Sequence, residues 1–144
     1  MLTTEQLLQL FIRQDIPLTG RKIVETIRVS DPVRRVGGGT HNVVTRFASK
    51  KMACVIQAES HKGELPALYE WEHDADRYEF YDQPSQVKLA YRTSNGTRVN
   101  HLSTPDFFVI QELWMYWVEC KPEDELRKSH ESGSERYVPD GNGG

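Results

Sequence analysis

The chain has 144 residues, of which 38% are hydrophobic and 27% are charged, with a formal net charge of −3 at pH 7. This length fits one domain with its own hydrophobic core, and the composition is typical of globular proteins. Membrane-spanning classes are excluded, because no apolar run approaches the roughly 20 residues that a span needs. We expect no secretory signal, and two cysteines without a CxxC spacing favour a reducing, cytoplasmic location.

Charge is distributed unevenly along the chain. Residues 20–52 contain eight lysines and arginines but two acidic residues, a balance of +6, whereas residues 53–144 contain nine basic and seventeen acidic residues. Such a basic segment predicts contact with a polyanion such as DNA. The alternative is a solvated basic surface without a partner. The residues expected to contact DNA are Arg34, Arg35, Arg46, Lys50 and Lys51.

The first part of the chain is predicted to contain two helices followed by a basic arm. Apolar residues at helical spacing predict a helix over residues 4–14 and a second helix over residues 19–28. The stretch RRVGGGTHNVVTRFASKKM combines a glycine run with dispersed basic residues. It predicts an extended, partly ordered arm, followed by a strand at residues 52–58.

The remainder is predicted to contain one helix followed by antiparallel strands. The helix, over residues 64–74, begins close to Glu64, because Pro66 is tolerated only in a first helical turn. Asn95-Gly96 is the strongest turn signal in the chain and predicts a hairpin. The predicted strands cover residues 86–93, 98–101, 106–110 and 115–121, and a last helix begins at Pro122.

Three charged residues lie in the most apolar stretch, TPDFFVIQELWMYWVECKP, at residues 104–122. Because strand side chains alternate between faces, Glu119 and Lys121 are predicted to share a face, about 7 Å apart. The short connection between the two strands favours antiparallel pairing, which places Asp106 beside them. Burial of an unpaired carboxylate costs roughly several kcal/mol, so such a cluster needs ion pairs or a metal. Carboxylate oxygens suit Mg²⁺, with Mn²⁺ as an alternative.

Two sequence features resemble known nucleases. Pro105-Asp106, followed by Glu119-Cys120-Lys121, resembles the PD-(D/E)xK signature of restriction-endonuclease-like proteins. A longer stretch, from about residue 59 to 126, resembles the N-terminal catalytic domain of TnsA-type transposon endonucleases. That likeness rests on Glu59-Ser60 with Glu64, on Gln83-Pro84, and on the stretches TPDFF and ECKPEDEL. The resemblance implies an α/β fold of the restriction-endonuclease type, with a mixed, mostly antiparallel sheet flanked by helices.

The resemblance also implies an activity: metal-dependent DNA endonuclease of a TnsA-like transposition system, hydrolysing phosphodiesters at transposon 5′ ends. It implies that Glu64, Asp106 and Glu119 hold Mg²⁺ with the backbone carbonyl of Cys120, while Lys121 positions the attacking water. The implied partners are double-stranded transposon-end DNA, a DDE-type transposase and an ATPase regulator, in a prokaryotic, nucleoid-associated protein.

We predict a helical segment at 1–33, a basic arm at 34–58, a nuclease core at 59–131 and a flexible tail at 132–144.

Two other functions remain open on the sequence alone. The first is a restriction or repair nuclease of the same fold. The second is a catalytically idle DNA-binding or assembly module, in which Asp106, Glu119 and Lys121 form a salt-bridge cluster. For Glu64, the alternative role is a solvated carboxylate stabilised by the helix dipole. The residues that compete for its catalytic role are Glu59, Glu70 and Glu72.

Overall fold

A computed structural model of the chain describes residues 1–32, 45–58, 63–93, 95–121, 123 and 126–128. Within these residues the elements mix helices with antiparallel strands, so the fold is α/β as predicted. Their bounds are α1 Thr4–Arg13, α2 Leu18–Val29, β1 Thr45–Ser49, β2 Cys54–Ala58, α3 Glu64–His73, β3 Arg77–Asp82, β4 Val87–Arg92, β5 Arg98–Ser103, β6 Phe107–Gln111 and β7 Met115–Val118.

Strand β6 is the centre of a three-stranded antiparallel sheet with the order β3-β6-β7. Its residues Phe107–Ile110 are all buried, because both faces of this strand are covered. In the register, Phe107 lies between Asp82 of β3 and Val118 of β7. The end of β3, the start of β6 and the end of β7 therefore meet at one edge of the sheet. The hairpins β1-β2 and β4-β5 form separate two-stranded sheets.

The alternating side chains of β6 enter two hydrophobic cores, one on each face of the central sheet. Phe107 and Val109 pack with α3 and the β1-β2 hairpin, whereas Phe108 and Ile110 pack with α1 and α2. The first core contains Phe47, Met52, Ile56, Ala58, Leu68, Trp71, Phe80, Phe107 and Val109. The second contains Leu7, Leu10, Phe11, Val24, Ile27, Phe108 and Ile110.

The three helices predicted before the central sheet are confirmed. Thr3 caps α1, because its side chain accepts a hydrogen bond from the backbone N–H of Gln6. Helix α3 begins at Glu64, as Pro66 requires. The longest described helix has 12 residues, and no helix in the described ranges has the length and apolar character of a membrane span. The helix predicted from Pro122 falls mainly on positions outside the described residues.

The predicted strands need three corrections. The strand predicted at residues 52–58 is confirmed as β2. Residues 45–51 were expected to belong to an extended arm, but Thr45–Ser49 forms β1, which pairs with β2 and buries Phe47 in the first core. Strand β3 was not predicted, because its charged residues obscure the apolar alternation. The last strand ends at Val118, three residues earlier than expected. Its ladder stops there because the N–H of Cys120 donates to the side chain of Asp106.

The charged residue Glu79 of β3 is completely buried on the α1-α2 side of the sheet. The Arg28 guanidinium binds both of its carboxylate oxygens, with N–O distances of 2.9 Å. The N–H of Leu2 and the hydroxyl of Tyr81 also donate to this carboxylate, at 2.6 and 2.5 Å. The network connects the N-terminus, α2 and β3, so the N-terminal helical segment is packed onto the nuclease core predicted at 59–131.

Candidate active site

The predicted catalytic residues lie at the edge of the central sheet where β6 begins and β7 ends. Asp106 immediately precedes β6, and its carboxylate accepts a hydrogen bond of 2.6 Å from the backbone N–H of Cys120. This bond connects the two segments that carry the proposed catalytic groups. The pairing of Phe107 with Val118 places them next to each other in the antiparallel register.

The thiol of Cys120 shows that the predicted residues share one neighbourhood. Its pKa is raised to about 12 by burial and by the negative charges of Asp106, Glu64 and Glu119, whereas the ammonium of Lys121 lowers it. Each of these four groups must lie close enough to act electrostatically on the same sulfur atom. The structure therefore brings together the four residues selected from the sequence as catalytic.

Glu64 reaches this neighbourhood from the first turn of α3. It is 8% exposed, so the solvated role considered as an alternative does not describe it. Helix α3 packs on the first core, against which the side chain of Cys120 also packs. The competing residues Glu70 and Glu72 have other partners: Glu70 pairs with Arg77, and Glu72 binds the turn after β1. Glu59 lies outside the described residues.

Glu119 and Lys121 form an ion pair with a nitrogen–oxygen distance of 2.9 Å, and both side chains are partly exposed, by 45% and 34%. The predicted spacing assumed that both residues belong to a regular strand. Since β7 ends at Val118, their contact arises in the segment after the strand. Their exposure leaves the Lys121 ammonium accessible from solvent.

Hard oxygen donors at this edge are chemically suited to Mg²⁺. Among the described residues, no group of three or more His, Cys, Asp or Glu side chains is arranged to hold a metal ion. Magnesium usually takes one or two protein carboxylates and keeps several waters. Asp106, Glu119 and the Cys120 carbonyl are donors of the chemical type that this lower requirement needs, with Glu64 nearby.

The residues predicted to contact DNA do not behave alike. Arg46 and Lys50 are exposed, as DNA contact requires. Lys51 has a different role: its ammonium donates to the carbonyls of Trp71, Asp74 and Arg77 at 2.5 to 2.7 Å. It thereby connects the end of α3 to the start of β3, and burial lowers its pKa. Arg34 and Arg35 lie outside the described residues.

Two residues beside the site were not assigned a role from the sequence. Gln83 is buried at a φ of 42°, and its N–H donates to the backbone carbonyl of Asp106 at 2.8 Å. It fixes the backbone from which the Asp106 side chain extends. Asp82 accepts from the N–H of Gln57, and burial raises the pKa of Asp82. In the sequence, the Gln83-Pro84 motif could have identified Gln83 as a residue beside the site, whereas no sequence feature identified Asp82.

Comparison with known proteins finds no family model that matches the chain and no significant match among curated proteins.

Proposed function

We propose that this protein is a metal-dependent DNA endonuclease of the PD-(D/E)xK type, acting in a TnsA-like transposition system. The observation that supports this proposal best is the convergence of Glu64, Asp106, Glu119 and Lys121 around Cys120. These residues come from three separate segments, yet they were selected together on their resemblance to one catalytic motif. The resemblance further suggests transposon-end DNA, a DDE-type transposase and an ATPase regulator as partners, in the cytoplasm.

Each residue has a chemical role in this proposal. Asp106, Glu119 and the Cys120 carbonyl would hold Mg²⁺, with Glu64 completing the acidic pocket. A bound Mg²⁺ would polarise the phosphate and lower the pKa of the attacking water. Lys121 presents an accessible ammonium beside these carboxylates, where it orients water and stabilises negative charge on the phosphate. The hydrogen bond from Cys120 to Asp106 keeps the carboxylate in place before DNA arrives.

The decisive experiment is nicking of supercoiled plasmid with Mg²⁺ or Mn²⁺. We expect the wild-type chain to nick, and Lys121→Ala and Glu119→Gln to lose at least about 100-fold in rate, which is the order of effect when charge stabilisation is removed. Lys128→Ala is the matched control, because Lys128 is exposed and lies outside the site. Unchanged nicking in both site variants would overturn the assignment.

A catalytically idle DNA-binding module is the second candidate, because two site groups already have protein partners. Asp106 accepts the Cys120 N–H, and Glu119 pairs with Lys121. Titration calorimetry with Mg²⁺ distinguishes the candidates when nicking requires a partner protein. The endonuclease proposal predicts binding that Glu119→Ala abolishes and Glu123→Ala, the exposed control, retains. Absence of binding in the wild type favours the idle module.

A further inference from the structure

The β4-β5 hairpin lies outside both hydrophobic cores of the described chain. Its strands, Val87–Arg92 and Arg98–Ser103, pair with each other in a sheet of their own. Each strand has six residues, which corresponds to a ribbon of about 20 Å. Five of the six residues of β4 are exposed. Such a hairpin contributes little to core stability, so packing in the core does not determine which residues it contains.

The two faces of this hairpin differ in chemistry. Directly paired residues share a face of an antiparallel ribbon, so the pairs Lys88 with Leu102, Ala90 with Asn100 and Arg92 with Arg98 lie together. All six of these residues are exposed, and we call them the basic face. The opposite face contains Leu89 and Tyr91, and the Tyr91 ring makes an edge contact with His101 at 5.9 Å between centroids.

The basic face has no acidic counterpart. Residues 83–105 contain Lys88, Arg92 and Arg98 but no aspartate or glutamate, although the chain from residue 53 onward is acidic overall. Arg92 and Arg98 are directly opposite each other, and like charges at such positions destabilise a sheet. Within the described residues, none of the three cations forms an ion pair. This arrangement is unfavourable for the free chain and favourable once a polyanion is bound.

The hairpin is attached at the candidate active site. Strand β4 begins five residues after Asp82, and β5 ends three residues before Asp106. The hairpin therefore extends from the same edge of the central sheet that carries the catalytic residues. A two-stranded ribbon fits the major groove of B-DNA, which is about 12 Å wide.

We propose that the basic face of the β4-β5 hairpin binds the duplex DNA next to the cleavage site, with Arg92 and Arg98 contacting backbone phosphates. The inference rests on the proposed function, because it states how the DNA substrate is held. It adds a binding surface in the acidic part of the chain, separate from the basic stretch at residues 34–51. Charge complementarity selects DNA over a second copy of the chain, whose apolar contact would use the face with Leu89 and Tyr91.

The test measures how binding to a fluorescein-labelled DNA duplex depends on salt concentration. Binding is detected by fluorescence anisotropy, and EDTA is present so that no cleavage occurs. Each phosphate contact contributes about −0.9 to the slope of log K against log salt, over roughly 50 to 200 mM. We expect Arg92→Gln/Arg98→Gln to make the slope less steep by about 2 and to weaken binding roughly 10- to 100-fold near 100 mM salt. The matched control is Arg13→Gln/Lys22→Gln, which removes the same charge from exposed positions on α1 and α2.

The outcomes separate this inference from the proposed function. Wild-type binding with an unchanged slope in the hairpin variant overturns the hairpin surface and leaves the endonuclease proposal standing. A wild type that does not bind duplex DNA overturns both. A third outcome would assign the hairpin to self-association instead. In that outcome light scattering detects dimers, Leu89→Ser/Tyr91→Ser dissociates them, and Arg92→Gln/Arg98→Gln leaves the salt slope unchanged.

Discussion

Two groups of charged residues lie on the central sheet, and they are organised in opposite ways. Buried Glu79 is bound by both arms of Arg28 and by two further donors. The site at the sheet edge combines three carboxylates with one ammonium, and its Glu119–Lys121 pair is partly exposed. The first group is neutral and saturated with hydrogen bonds, whereas the described residues of the second include three carboxylates and one ammonium, of which the Glu119–Lys121 pair reaches solvent.

The difference indicates which charges stabilise the fold and which are available for chemistry. A bidentate arginine leaves a carboxylate with little remaining capacity for another ligand. Carboxylates that outnumber their cations repel one another, and the arrangement becomes favourable when a divalent cation joins it. We therefore assign Glu79 to the stability of the fold, and the group around Cys120 remains the proposed site of chemistry.

Breaking the buried pair should have the largest effect on stability. We expect Arg28→Ala to lower the free energy of unfolding by about 3–5 kcal/mol, because it leaves Glu79 buried without its cation. Arg28→Met/Glu79→Leu should recover much of this loss, since no uncompensated charge remains. Chemical denaturation of the three proteins provides the measurement. Exposed ion pairs contribute less than about 1 kcal/mol to the free energy of unfolding. A loss in that range for Arg28→Ala would show that the Arg28–Glu79 pair does not hold the fold together in the way proposed.

The thiol of Cys120 reports directly on the charge of the site. Its pKa of about 12 lies above the ordinary value of 9.0, so the contribution of the protonated thiol to stability is complete below pH 9 and declines as pH rises toward 12. A divalent cation bound by the neighbouring carboxylates should lower this pKa by about one unit. At pH 9 that shift would raise the alkylation rate of Cys120 about tenfold, because the thiolate is the reactive form.

Iodoacetamide labelling of a Cys54→Ser variant, with and without Mg²⁺ at constant ionic strength, measures this effect. The same protein in denaturant is the control, because its thiol should have a pKa near 9.0 and a labelling rate that does not depend on Mg²⁺. An Mg²⁺-independent rate in the folded protein would argue against a metal site beside Cys120.

The sequence predicted the helices better than it predicted the sheet. Periodic apolar residues are a local signal, so α1 and α2 were predicted correctly, and Pro66 correctly predicted where α3 begins. Strand β3 was missed because its stability depends on a non-local partner: Glu79 is tolerated there only because Arg28 approaches from α2. The role of Lys51 was misjudged for the same reason, since its three acceptors lie 20 to 26 residues away along the chain.

The candidate site residues were selected on a sequence resemblance, because apolar patterns carry no information about catalytic chemistry. The end of β7 could not be predicted from alternation, because the Asp106 side chain, not the ladder, receives the Cys120 N–H. The basic face of the β4-β5 hairpin became visible only in the register, which pairs Arg92 with Arg98.

Neutralising one carboxylate of the site should produce the smallest change in stability. This change should be a gain, whereas Arg28→Ala lowers the free energy of unfolding. We expect Glu64→Gln to raise the free energy of unfolding by up to about 1 kcal/mol, because it removes repulsion from Asp106 and Glu119 while the amide keeps the shape of the side chain and its ability to form hydrogen bonds. Glu25→Gln on the exposed face of α2 is the matched control and should change stability by less than about 0.5 kcal/mol. The measurement is denaturation at low and high salt, since screening should reduce the gain. A loss of several kcal/mol would instead place Glu64 with Glu79, among the carboxylates that hold the fold together.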